Sequence, residues 1–227
     1  MIRKKRLNRL GTGLFTFISI FYVLPVVVVL FNSFKKKSYI NLEPFKLPNE
    51  TTFTGVDNYT TAINQYDFLK AVGWTVFITV GSVLVILICT SMCAWFITRV
   101  KNRVTKGIYI LCVFSMVVPF QMVMFTLSLV TDRLGLGTPW GLIIIYLGFG
   151  AGLAVFMFCG FVKSIPIEIE EAAMIDGCSP IRTFFSVVLP IMKPTYISVG
   201  ILETMWIWND FLLPYLTLDI KKYKTIS

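Results

Sequence analysis

Glu203 and Asp210 lie well inside the apolar run Tyr196 to Leu216, seven residues apart. At 3.6 residues per turn both fall on one helical face, with Trp206 between them and Tyr196 extending the stripe. An ionisable group at membrane depth is costly and marks a functional path by default. Carboxylates beside an aromatic plane suit a ligand that offers hydroxyl donors and an apolar ring face. The same pair would also serve an ion-coupled secondary transporter, and the stripe would suit packing against a sister subunit. Trp206 and Trp208 also fit an interfacial aromatic belt, with Asp210 near the outer headgroups. Asn209, next to Asp210, completes the candidate path of Glu203, Trp206, Asn209 and Asp210.

A second polar group interrupts the apolar sequence between Ile165 and Pro190, where Glu168, Glu170, Glu171 and Asp176 stand among alanines and spaced apolar residues. Pro166 suits a first helical turn, the acidic residues beside it favour a helix N-terminus, and Gly177 can take the left-handed conformation that ends a helix. Ser179-Pro180 restarts one as N-cap and proline. Ile181, Phe184, Phe185 and Val188 then recur on one face until Pro190 interrupts it. The expected product is a short helix, a tight turn and a second short helix outside the bilayer. Ala172 and Ala173 offer little bulk, so another protein's surface can approach closely, and Gly177 keeps the elbow compact. An interfacial amphipathic linker would show the same amphipathicity, but not this order of residues.

Other chemistry is excluded by what the 227 residues lack. There is no histidine, which removes HExxH chemistry and most acid–base schemes, and no metal-binding set. Cys89, Cys93, Cys112 and Cys159 fall in apolar runs and Cys178 in the polar segment, without zinc or redox spacing. No G-x-x-x-x-G-K-[ST] loop is present to cradle phosphates, so the chain cannot hydrolyse ATP alone. An intramembrane enzyme would need a catalytic dyad or metal set that the sequence does not offer.

The elements that must position these groups are membrane helices. Hydrophobic residues make up 56% of the chain and charged ones 15%, far from an ordinary soluble domain. A bilayer core about 30 Å thick needs roughly 20 apolar residues of helix. Five such runs are visible, at Leu14 to Phe34, Val72 to Ile97, Ile108 to Val130, Leu142 to Val162 and Tyr196 to Leu216. The fold class is therefore all-α and polytopic, with lipid as solvent. The net charge of +9 belongs to topology rather than nucleic acid, because basic residues flank the runs.

The basic head (residues 1–13, with Arg3, Lys4, Lys5, Arg6 and Arg9) and the short loop bearing Arg99, Lys101, Arg103 and Lys106 put the N-terminus and that loop in the cytoplasm. The rule is obeyed only weakly, since Lys35 to Lys37 and Lys221, Lys222 and Lys224 stand outside. The first run has a signal-peptide beginning but no cleavage site, so it reads as an anchor over 14–34. Residues 35–71 read as an irregular extracytoplasmic loop. Residues 72–216 form a four-helix core with the polar segment 163–195 on its cytoplasmic side, and 217–227 an outer segment. Gly148 and Gly152 form a small-xxx-small pair for helix packing. Gln121, after Pro119, suits either a kinked polar path or a hydrogen bond to a neighbouring helix.

Glu171-Ala172-Ala173, Gly177, Val187 and Leu189-Pro190 resemble the EAA loop of binding-protein-dependent ABC importer permeases, with valine where the family usually has isoleucine. Asp176-Gly177, Phe184, Pro194 and the run Trp208-Asn209-Asp210-Phe211 with Leu213-Pro214 resemble its sugar-importing, maltose-type branch. The resemblance implies a type I ABC importer permease fold and a coupling helix that seats in a cytoplasmic ATPase dimer, which binds the ATP and magnesium. It also implies a second permease, an extracytoplasmic sugar-binding protein and a bacterial inner-membrane location. It assigns coupling to Glu171, Ala172, Ala173, Asp176, Gly177, Leu189 and Pro190. The family's sixth span and cytoplasmic tail find no counterpart before Ser227, so a truncated chain is expected.

Overall fold

The computed structural model describes residues 2–219 and 222–226, without the side chains of residues 2–10. The basic side chains of the head, Lys221 and Ser227 lie outside the described residues. The chain divides into two compact units, residues 1–68 and 69–227.

The first unit holds α1 (Ile2–Asn32), α2 (Lys37–Leu42) and α3 (Asp57–Gln65). From Gly11 to Asn32, α1 is long and apolar enough to cross a membrane, and its apolar side chains are exposed, as lipid solvation requires. The following loop is more ordered than its composition suggests. Lys35 is buried and donates to the Glu43 carbonyl (2.8 Å), while the Asn58 amide donates to the carbonyls of Ser33 (2.8 Å) and Lys35 (2.7 Å). These polar hooks replace the apolar core that so short a segment cannot build.

The second unit begins with α4 (Phe68–Arg99), followed by α5 (Arg103–Ser115), α6 (Phe120–Arg133) and α7 (Pro139–Val162). Asn102 caps α5 by accepting from Thr105 N–H (2.8 Å), and Thr138 caps α7 by accepting from Gly141 N–H (3.1 Å), with Pro139 at the first helical position. α8 (Ile167–Ile175) and α9 (Pro180–Thr183) form the polar elbow. A π-helical turn (Phe184–Val188) and α10 (Leu189–Ile191) lead into α11 (Lys193–Asn209) and α12 (Leu212–Thr217). The core sits around α7, where Leu142, Tyr146, Ala154, Phe158 and Val162 meet Ile86 and Ala94 of α4 and Val199 of α11.

Two expected spans are not continuous. The run 108–130 is two helices, α5 and α6, bent by 104°. The run 196–216 stops at Asn209, where Asp210 takes an extended conformation (ψ 112°), and resumes as α12. Proline explains both breaks, because it has no N–H for the carbonyl four residues earlier and its ring clashes with that carbonyl. Pro119 ends α5 at Ser115, Pro214 ends α11 just before Asp210, and Pro166 likewise ends α7 at Val162.

The glycine pairing also differs from the sequence expectation. A Cβ on Gly152 would stand 2.7 Å from the Cys112 carbonyl oxygen and 2.6 Å from Met116 Cγ, so α5 and α7 approach closely there. Gly148 has nothing within 4 Å; the second close approach is at Gly150, whose Cβ would lie 2.7 Å from Ile86 Cδ1 and 2.9 Å from Glu203 Oε2.

Candidate functional site: the elbow and the broken last helix

The elbow forms as its local sequence dictates. α8 ends in a Schellman turn, in which Cys178 N–H donates to the Ala173 carbonyl and Gly177 N–H to the Met174 carbonyl, both at 3.0 Å. Gly177 has φ +85° and nothing within 4 Å of its Cβ position. The left-handed backbone expected at Gly177 is what favours glycine there, since no neighbour crowds the position. Ser179 caps α9 by accepting from Arg182 N–H (3.4 Å).

Of α8's nine residues only Glu170 is buried, to 2% exposure. Its Oε1 accepts from Arg99 Nε (3.0 Å) and Nη2 (2.7 Å), and its Oε2 from Trp95 Nε1 (2.9 Å). Arg99 Nη2 also donates to the Ile165 carbonyl (2.9 Å) just before the helix. Trp95 serves the other arm too, its ring 5.5 Å from that of Phe184. Two residues one turn apart at the end of α4 therefore grip both limbs of the elbow. Burial costs a carboxylate least when it is paired and hydrogen-bonded on both oxygens, as this one is. Glu170 was not among the residues the motif singled out; the signal that could have found it is Arg99, one turn after Trp95, ending an apolar run.

Glu171, Ala172, Asp176, Gly177 and Pro190 are exposed, and Ala173 and Leu189 half-buried. The expected apolar stripe of α9 splits. Phe184 and Val188 are fully buried, whereas Ile181 and Phe185 are exposed, because the elbow packs on one side only and buries a single i, i+4 row. With Ile167, Ile169, Met174 and Ile175, the last 85% exposed, they leave the outer elbow apolar among acidic residues.

In the broken last helix the four path candidates separate. Glu203 is buried at 2% exposure with Oε2 lacking a hydrogen-bond partner among the described residues. It shares a cavity of about 250 Å³ with Trp206, Met116, Phe149, Gly150, Leu153 and Leu202. Trp206 is part exposed and meets the Tyr146 ring edge-on at 5.5 Å. Asp210 does not line this cavity: Oδ2 accepts from Tyr146 Oη (3.1 Å), and Oδ1 caps α12 through Leu212 N–H (3.0 Å) and Leu213 N–H (3.3 Å). Asn209 is exposed and donates to the Met205 carbonyl of its own helix (2.7 Å). Tyr196 packs on Phe158 (4.9 Å) and hydrogen-bonds Ser91. The stripe thus yields one cavity pair, Glu203 and Trp206, and one hinge residue, Asp210.

The architecture is that of a helical membrane protein. A profile of the family described as binding-protein-dependent transport system inner membrane component matches residues 86–222, and the chain belongs to that family of ABC transporter permeases. It is a transport subunit rather than an enzyme. Among its relatives, a probable starch degradation products transport system permease protein of Thermoanaerobacterium thermosulfurigenes is 39% identical over 96% of this chain and 77% of its own length. A multiple sugar-binding transport system permease protein of Streptococcus mutans is 35% identical over 88% of this chain and 72% of its own. The fold matches a chain in the crystal structure of a bacterial ABC transporter involved in import of the polysaccharide alginate, with a TM-score of 0.75, 20% identity, and coverage of 94% of this chain and 75% of that one.

Proposed function

We propose that this chain is the membrane-embedded subunit of an ATP-driven carbohydrate importer, lining the translocation path with a second permease and taking its stroke from a cytoplasmic ATPase dimer. The observation that carries the reading is the elbow: an exposed apolar tip with both limbs fixed to α4 through Trp95 and Arg99. A patch that no other described residue covers, tied to α4 at its base, is suited to receive a push. Glu171, Ala172, Ala173, Asp176 and Gly177 present the contact, while Leu189 and Pro190 form the base. ATP and magnesium belong to the ATPase. An extracytoplasmic sugar-binding protein delivers the cargo, the N-terminus faces the cytoplasm, and the membrane is the inner membrane of a bacterium.

Carbohydrate is the cargo class because two of the relatives carry starch products and multiple sugars in their names. Glu203 and Trp206 supply an acceptor and a ring face at one cavity. The ion-coupled alternative has lost a carboxylate, since both oxygens of Asp210 are engaged in the protein's own hinge. To test the reading, Ala173→Cys is crosslinked in the intact complex, and uptake of labelled oligosaccharide is followed with and without ATP. Capture of an ATP-binding polypeptide with ATP-dependent uptake is expected. Uptake that proceeds without ATP, or a crosslinked partner that binds no nucleotide, would overturn it.

A further inference from the structure

Where α4 ends, α5 begins and α7 ends, a cavity of about 520 Å³ opens beside the loop 100–102. Its rim carries Lys101, Arg103, Lys106 and Lys163, and no acidic residue among the described ones lines it. None of the four cations has a carboxylate partner among the described residues, and the nearby Arg99 is already committed to Glu170. The α5 N-terminus, capped at Asn102, adds its partial positive charge on the same side. Below the rim the wall turns apolar, with Ile97, Cys159 and the Tyr109 ring, over which Lys163 Nζ stands 6.0 Å from the centroid.

A second groove of about 560 Å³ meets the first at Tyr109 and Lys163 and runs over Phe156, Met157 and Phe161. Cations over an apolar trough, at the shared end of three apolar helices, complement an anion that carries a hydrocarbon body. Polar rim and apolar trough lie at the membrane–water boundary, because α4 and α7 are both long enough to span and both end there. Basic pockets between membrane helices at that level hold acidic lipid headgroups. We infer that this is a binding site for an anionic phospholipid, its phosphodiester held by Lys101, Arg103, Lys106 and Lys163 and an acyl chain laid along Tyr109, Phe156 and Phe161.

A small anion would need the rim but not the trough, and a zwitterionic lipid would fill the trough but gain little from the rim, because its choline cation offsets its phosphodiester. The test is native mass spectrometry of the chain, in whatever complex it leaves the membrane, with phosphatidylglycerol or phosphatidylcholine added in detergent at equal concentration. Preferential retention of phosphatidylglycerol is expected, weakened by roughly tenfold or more when two of the four charges are removed as Lys101→Gln and Lys163→Gln, and kept by Lys163→Arg. Equal retention of the two lipids by the unaltered chain would overturn the inference without recourse to any variant. So would undiminished phosphatidylglycerol binding by the double variant, or displacement of the lipid by millimolar inorganic phosphate, which would mark a small-anion site.

Discussion

Two adjacent glutamates in the elbow have opposite situations. Glu170 is buried with three N–H donors on its carboxylate, while Glu171, one step or about 100° further round the helix, is exposed. Removing Arg99 leaves a buried charge unpaired, so Arg99→Ala should destabilise by about 3–5 kcal/mol and lower the detergent melting temperature. Glu171→Ala should leave the melt unchanged and weaken the ATPase contact; the pair of melting curves distinguishes the two roles, and a large shift for Glu171→Ala would refute the assignment. Gly177 offers a second contrast, because its φ of +85° with open space around it penalises a side chain only through the backbone. Gly177→Ala should cost about 1–2 kcal/mol and Gly177→Asn less, as asparagine tolerates the left-handed region; ATP-dependent uptake and melting read side by side would show Asn as the milder change. The left-handed glycine and the Ser179 cap are legible in sequence because they are local. The identity of the buried glutamate is not, because its partner Arg99 is 71 residues away.

At the scale of elements, three helix ends obey one rule: the helix stops about four residues before a proline, at Ser115, Val162 and Asn209. The positions of the prolines are plain in the sequence, yet apolar composition runs straight through Pro119 and Pro214, and hydropathy therefore counts two broken helices as continuous spans. The break at Asp210 is held by more than the missing hydrogen bond, since its carboxylate caps α12 and takes the Tyr146 hydroxyl from α7. What reads from sequence as a membrane-depth charge for a ligand is, in the fold, a joint. Asp210→Ala removes the cap and leaves the Tyr146 hydroxyl without its acceptor, a loss of about 1–3 kcal/mol. Tyr146→Phe removes a single hydrogen bond and should cost about 0.5–1.5 kcal/mol. A double variant that adds far less than the sum of the single losses would establish that the two act as one latch; strict additivity of the melting shifts would separate them.

In the second unit as a whole, α7 packs against α4, α5 and α11, and its glycines set how closely they approach. Gly152 admits the α5 backbone, and Gly150 admits both Ile86 and the Glu203 carboxylate. The elbow is fixed at the end of α4, whereas the cavity of Glu203 and Trp206 lies between α7 and α11 near the break after α5. The proposed drive and the proposed path therefore occupy different places, and variants in each should fail in different ways. Trp206→Ala removes an aromatic face worth about 0.5–1.5 kcal/mol, or up to roughly tenfold in affinity. It should raise the concentration of oligosaccharide needed for half-maximal uptake, and Glu203→Gln should retain packing while replacing one acceptor oxygen by a donor amide. Both should keep the Ala173→Cys crosslink and ATP hydrolysis by the complex. Glu171→Ala should do the reverse, lowering the crosslink yield and the ATP-driven rate while leaving the half-maximal concentration in place. If Trp206→Ala and Glu203→Gln both preserve rate and half-maximal concentration, the cavity is packing between α7 and α11 and the sugar passes elsewhere, with the elbow's role untouched.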